Sequence, residues 1–500
     1  MSVQNNTKVL TTTISAILFL SACSFVPKYQ EPEVPIADAW IPLSLQDKAQ
    51  YSGKSVLEIG WKEYFREPQL QVLISQALAA NHDLKKAALS SQMAYEAYGI
   101  TKAQQIPTIG ASASVARSRQ SEYAQGTVYS AALGISAFEL DFFGRVRALS
   151  ESALNSYLAT NEARDAAQLS IINATASAYY QARISKALMD LAEKVVKARS
   201  EMLKLAQLQA NTGVINAVTL KSYEAAVESA RADFEAQERG YLQAMNALSV
   251  LVAVPYQQIQ MPAPLPLNEQ FVDLQVPAGI PSSVLRNRPD VRAAEFAIRA
   301  ANGDIGAARA ALFPTISLTA SLGLASAELD ELFKSSSKIW SISPSIAAPI
   351  FNRKALNAQV KISELQQQMA VEDYAKTMQS AFREVSDALI ARATYKRQYE
   401  ATLRAVKAQK EALALERQRF KAGVSDGITL IDAERSTFAA EQGLLAVQLQ
   451  LLVNSVQLYT TMGGGLAEYG GVSNATGATV NANNPMSDAV KVPLDEQSAK

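Results

Sequence analysis

An aspartate and an arginine, Asp432 and Arg435, stand three residues apart in the stretch GVSDGITLIDAER, residues 423–435. If the stretch is helical, Ile428, Asp432 and Arg435 fall at i, i+4 and i+7 and share one face. Exposed to water, such an ion pair is worth about 0.3–0.5 kcal/mol and serves mainly to solvate a helix. Brought together by symmetry, such carboxylates would crowd one another and the arginines could link them. Catalytic chemistry is poorly supplied. His82 is the only histidine and Cys23 the only cysteine, too few for a metal site built from those side chains. His82 reads instead as a residue that caps or precedes a helix. No G-x-x-x-x-G-K-[ST] phosphate loop occurs, and the triple glycine at 463–465 reads as a helix terminator. These residues argue against an enzyme and against a metal centre.

The turn that carries the pair occurs twice. GVINAVTLKSYEA begins at Gly213, 210 residues before its counterpart. Gly213 and Gly423 stand where a chain reversing between helices needs a positive φ. Val214 with Val424, Thr219 with Thr429, Leu220 with Leu430 and Glu224 with Glu434 are shared, and so serve the common fold. Asp432 replaces Ser222 and Arg435 replaces Ala225, so these two positions are free to serve function. Asp426, within the turn, either caps the next helix or touches a partner at the tip.

The duplication extends far beyond the turn. HDLKKAALSSQMAYEAYGITKAQQIPTI from His82 aligns without gaps to PDVRAAEFAIRAANGDIGAARAALFPTI from Pro289, at an offset of 207. Phe143 and Arg145 then match Phe351 and Arg353 at 208. Each copy reads as helix, hairpin, very long helix, turn and long helix. Repeat 1 spans 69–254, with a hairpin at 107–142; repeat 2 spans 289–465, with a hairpin at 314–351. A proline-rich linker, 255–288, joins them, and the Asn/Ala/Gly-rich tail 466–500 is expected to be partly disordered.

Neither glycine nor proline interrupts 145–209 or 353–422, so each stretch predicts a helix of roughly 100 Å. Leu188, Leu191, Val195, Ala198, Met202 and Leu205 alternate steps of three and four, as do Leu220, Tyr223, Val227, Ala230 and Phe234. Helices this long must pair as antiparallel hairpins with the turns at their far ends. In the shorter segments apolar residues alternate instead: Ile109, Ala111, Ala113, Val115, and Ile316, Leu318, Ala320, Leu322, Leu324. Period two predicts strands, either of a soluble sandwich or of a membrane barrel facing lipid and lumen in turn. Phe142, Phe143, Phe313, Phe351 and Trp340 near the strand ends are placed to form an interfacial girdle.

Equal numbers of basic and acidic residues, 47 each, give no polyanion-binding surface and so no nucleic-acid partner. Past the N-terminus no apolar run reaches the roughly 18 residues that a spanning helix needs. At the N-terminus, Lys8, an apolar stretch 9–20 and LSAC at 20–23 form an export signal over residues 1–22. LSAC resembles a bacterial lipobox, with Cys23 the lipidated first residue of the mature chain. The alternative is an ordinary signal peptide with a chance cysteine. Ser24 in place of aspartate resembles the pattern sent on to the outer membrane, and 23–68 reads as a lipidated segment leading into an equatorial region. One acyl-type anchor holds a membrane weakly and needs a second attachment. The hairpins supply it, but four strands leave open edges that lipid does not tolerate, so several chains must pool them.

These features together resemble the outer-membrane efflux lipoproteins of the TolC superfamily, in the OprM-like or NodT-type branch. The matching residues are the lipobox at Cys23, VPKYQEPEVP after it, LDFFGRVR at 140–147, RNRPDVRAAE at 286–295, the GVSDGITLIDAER turn and MGGG at 462–465. The resemblance implies a mixed α and β membrane protein: a homotrimer with a twelve-stranded β-barrel continuous with a periplasmic α-helical barrel. It implies a periplasmic adaptor and an inner-membrane resistance-nodulation-division pump as partners, passive conduction of drugs and toxic small molecules, and no cofactor beyond the lipid on Cys23. In the family the positions of Ile428, Asp432 and Arg435 close the periplasmic end, more often with leucine at the first. The tip turns, Gly213 with Val214 and Gly423 with Val424 and Asp426, are then the adaptor contact. Two other readings are a duct for type I protein secretion and a lipid-anchored coiled-coil spacer without a channel.

Overall fold

Residues 24–37, 56, 59–121, 124–271 and 282–468 are described by the computed structural model. Cys23, the export signal and the tail beyond 468 lie outside the described residues. Helices α1 (Trp61–Tyr64), α2 (Pro68–Ala80) and α3 (His82–Ala103) come first. His82 is the first residue of α3, and the cap is its neighbour Asn81, whose side chain accepts from the Asp83 and Leu84 amides. A hairpin, β1 (Ile109–Ser121) and β2 (Ala124–Glu139), leads into α4 (Arg145–Asn211) and its return helix α5 (Ala217–Val252). The order then recurs with α6 (Pro289–Ala310), β3 (Thr315–Ser326), β4 (Lys338–Ala347), α7 (Arg353–Lys421) and α8 (Gly427–Thr461). The long helices α4 and α7 hold 67 and 69 residues because nothing in either sequence breaks an α-helix.

The strands form one antiparallel sheet in the order β1-β2-β3-β4. Alternation gives it two unlike faces. One carries Ile316, Leu318, Ala320 and Leu322 opposite Ile346, Pro344, Ile342 and Trp340. The other carries hydroxyl pairs between neighbouring strands, Ser114 with Ser130 at 2.8 Å and Ser317 with Ser345 and Ser321 with Ser341 at 2.7 Å. Among the described residues, no strand pairs with the outer edge of β1 or of β4. No described helix is long and apolar enough to cross a membrane.

The core lies around the middle of the long helices. There α2 and the aromatics of α1 pack against Ile172, Tyr179 and Tyr180 of α4 and Val456 and Tyr459 of α8. Tyr64 and Tyr459 stack at 4.1 Å, and their hydroxyls donate to the carbonyls of Ser455 and Ile59, each at 2.7 Å. The buried Glu67 carboxylate pairs with Arg183 at 2.6 Å. Burial drives the Tyr180 hydroxyl well above its ordinary pKa, so it is a neutral phenol. The triple glycine ends α8 as expected: the Gly464 and Gly463 amides donate back to Tyr459 and Thr460, and Gly463 has φ 84°.

One sequence expectation is shifted. The buried line of α4 near its tip is Ala192, Arg199 and Ala206, while Leu205 is 60% exposed. The seam therefore lies one residue beyond the leucine series. Alanine lets α5 approach closely, and Arg199 donates to the Ala226 carbonyl at 2.9 Å. On α5 the expected series holds, with Tyr223, Val227 and Ala230 buried.

Candidate functional site

Both hairpin turns use the same backbone device. Gly213 has φ 77° and Gly423 has φ 72°, a conformation that costs glycine little and other residues more. The Val214 amide donates to Gln209 and that of Gly213 to Ala210; the Val424 and Gly423 amides donate to Arg419 and Phe420 in the same pattern. These 6→1 and 5→2 bonds define a Schellman motif in each turn. Such motifs usually pack the residue after the glycine on the preceding turn. Here the facing residues are Gln209 and Arg419, so Val214 and Val424 are left 70% and 69% exposed. Each return helix is then capped: Asn216 accepts from the Thr219 amide at 2.9 Å, and Asp426 from the Thr429 amide at 2.8 Å. That bond holds the Asp426 carboxyl below its usual range by favouring the charged form.

Past the caps, the copies diverge. Asp432 and Arg435 form their i,i+3 pair at 3.1 Å, with side chains 58% and 72% exposed, and Ile428 on the same side is half exposed. The equivalent Ser222 simply donates to the Val218 carbonyl of its own helix. Around this face, repeat 2 is laced by charge. Arg417 reaches across the hairpin to Glu434 at 3.0 Å and Lys410 to Glu441 at 2.5 Å. Glu416 accepts from Arg419 and from the Ser425 hydroxyl in the turn.

The two repeats meet at this end through a contact that sequence periodicity does not reveal. Tyr223 of α5 is buried, and its hydroxyl sits against the backbone of Gly427, the first residue of α8. A Cβ on Gly427 would fall 1.6 Å from that oxygen. Burial, then the charges of Asp426 and Glu434, push the Tyr223 hydroxyl above its ordinary pKa. The counterparts are Ala433 for Tyr223 and Ala217 for Gly427, so subtracting one copy from the other would have flagged both positions. The positions Ile428, Asp432, Arg435, Gly423, Val424 and Asp426 thus cluster at one helical tip, with Gly213 and Val214 at the other.

A sequence model described as outer membrane efflux protein matches residues 73–254 and again 280–464, one match for each repeat. The chain belongs to that family. It is 37% identical over 475 residues to the probable efflux pump outer membrane protein TtgC of Pseudomonas putida, covering 94% of this chain and 98% of that one. It is 35% identical over 450 residues to the cation efflux system protein CusC of Escherichia coli, covering 90% and 97%. The crystal structure of the open state of the MtrE outer membrane channel of Neisseria gonorrhoeae superposes with a TM-score of 0.81 at 39% identity. That match covers 90% of this chain and 100% of MtrE. The chain is an outer-membrane efflux channel, with a four-stranded barrel segment and long helical hairpins that extend into the periplasm.

Proposed function

We propose that three copies of this chain close a conduit that passively releases small toxic molecules handed to it by a periplasmic adaptor and an inner-membrane pump. The observation that carries this reading is the pair of open sheet edges, on β1 and β4. Three copies of four strands give twelve, and joining β4 of one copy to β1 of the next removes every edge, as lipid requires. The helices support the same closure. Within the chain, α4 of repeat 1 packs on α6 of repeat 2. By internal symmetry α7 would pack on α3 of the next copy. Both offer bare apolar side chains: Leu89, Met93 and Ile100 on α3, and Ile362, Leu365 and Met369 on α7.

Six hairpin turns would then ring the far end. Ile428, Asp432 and Arg435 would be the closure, with three carboxylates near the axis. Val214 and Val424, bare beside Gly213 and Gly423, would meet the adaptor. Asp426 serves first as a helix cap. Relatives named for toluene, solvent, antibiotic and cation efflux support a broad class of small cargo, with the pump choosing among them. Export followed by acylation of Cys23 would add a lipid to the barrel as a second attachment.

Native mass measurement with planar-bilayer recording of the purified protein tests the reading. A trimer that conducts ions supports it; a non-conducting monomer contradicts it.

A further inference from the structure

Each repeat fastens the start of its short helix to the end of its return helix, and the two do so with different residues at one position. In repeat 1 that residue is Asn81, before α3. Its side-chain nitrogen donates to the Leu251 carbonyl in the last turn of α5 at 3.0 Å, while its oxygen caps α3. In repeat 2 it is Arg288, before α6, which donates to the Thr461 carbonyl in the last turn of α8 at 2.9 Å. Leu251 and Thr461 stand 210 residues apart, the offset of the two turns.

Arginine reaches further than asparagine from this position. Its guanidinium, 11% exposed, forks onto Asp290 at 3.0 and 2.7 Å and meets Glu384, in the middle of α7, at 2.8 Å. A planar fork holds several acceptors in fixed directions. The side chain is free to do so because α6 starts without it: Pro289 takes the first helical turn, where its missing N–H costs nothing, and Arg288 makes no side-chain cap. The acid belongs to repeat 2 alone. At offsets of 208 to 210 from Glu384 stand Ala176, Thr175 and Ala174. That part of α4 lies under α2, with Ile172, Tyr179 and Tyr180 buried. On α7, beside the buried Val385, Glu384 instead takes a guanidinium that also holds α6 and α8.

We propose that Arg288 is a positioning residue for the tip of repeat 2: it sets the angle at which the α7–α8 hairpin leaves the core, and so where Ile428, Asp432 and Arg435 stand. From Glu384 to the end of α7 at Lys421 is ~55 Å of helix. A tilt of ~2° at the clamp therefore shifts the tip by ~2 Å, the size of helix shift that repacks an interface. Such a shift lifts Tyr223 from the Gly427 notch. What the tip then does for the channel rests on the proposed function, whereas the clamp and its reach do not.

Amide exchange in the purified full-length protein reads the tip through the Tyr223 contact, with planar-bilayer conductance recorded on the same preparations. Glu384→Gln keeps the Arg288 bonds to Thr461 and Asp290 and removes the ion pair with α7. Arg288→Asn installs the residue of repeat 1. Both should speed exchange from 424 to 434 about fivefold, while 214 to 224 stays within about twofold of wild type. Arg288→Lys, which keeps the charge but not the fork, should fall between. Glu364→Gln breaks another bridge from α6 to α7, with Arg309 at 3.0 Å nearer the barrel, and should leave the tip at the wild-type rate. A residue that only braces its surroundings would speed exchange near 288, 384 and 461 and not at the tip. That result in Glu384→Gln, which also serves if Arg288→Asn does not assemble, would overturn the proposal, as would equal acceleration of the tip by Glu364→Gln. Faster exchange at the tip with raised conductance supports both the clamp and the closure. Faster exchange with wild-type conductance supports the clamp and counts against the closure.

Discussion

The turn at Gly213 and the turn at Gly423 have one backbone and two kinds of surroundings. Both reverse the chain through a left-handed glycine and both cap the return helix with a side-chain oxygen. Around the first, the hairpin is sealed by apolar burial of Ala206, Tyr223, Val227 and Ala230. Around the second, Val406, Leu413, Leu430 and Phe438 are buried likewise, and the hairpin is crossed in addition by Arg417–Glu434 and Lys410–Glu441, whose cations are 51% and 56% exposed and whose carboxylates are 9% and 23% exposed. Solvent-exposed ion pairs are weak and easily exchanged for water, whereas buried apolar contacts hold until the helices part. What sets the second hairpin apart is therefore the charge added to its apolar seam, and Tyr223 in the Gly427 notch is the point where the two hairpins touch.

That notch gives the largest test of the contrast. Gly427→Ala should displace the Tyr223 ring and weaken the second tip by ~1–3 kcal/mol, the usual cost of overpacking. It should be read as faster amide exchange from 424 to 434. Ala217→Val in the exposed equivalent position should do far less. Combining Gly427→Ala with Tyr223→Ala should cost less than the sum of the separate changes, because the collision is gone. Additive effects would show that the two residues do not meet.

A smaller effect separates the caps by pH. The bond from the Thr429 amide holds the Asp426 carboxyl below its usual range. Its contribution is therefore complete above the ordinary value of about 3.9 and is lost as pH falls through the lowered value. Asn216 has no such titration. Acidification should thus speed exchange at Thr429 relative to Thr219, and Asp426→Asn should abolish the difference. A ratio constant with pH in the wild type would remove the cap from the account.

The duplication and the element order are legible because they leave local marks. Without glycine or proline from 145 to 209, α4 has nowhere to stop, and it runs to Asn211. Alternation in 316–324 marks β3 equally well. At the site, Asp432 and Arg435 stand out by their difference from Ser222 and Ala225. The Tyr223 notch differs between the copies too, as Ala433 and Ala217 show, but its contact leaves no periodic mark. Phe25 meets Phe313, and Tyr223 meets Gly427, across more than 200 residues of chain, and neither contact imposes a period on the sequence. The shifted seam has a different cause: leucine spacing alone does not say which neighbour a stripe faces, and Leu205 turns away from α5. The bulge that puts Ala137 at φ 49° is set by pairing with β3 and by the Thr319 hydroxyl, which accepts from the Ala137 amide.

The central claim, that the second turn carries the closure of a channel, is tested most directly by single-channel conductance of Asp432→Ala/Arg435→Ala in planar bilayers. Ser222→Ala at the equivalent position of the first hairpin, where residue 225 is already alanine, is the matched control. A correctly assembled double variant should conduct about tenfold or more above wild type, while the control should stay within about twofold, as a surface change away from a closure would. Wild-type conductance from the Asp432→Ala/Arg435→Ala trimer would contradict the claim and leave the pair as an exposed surface ion pair.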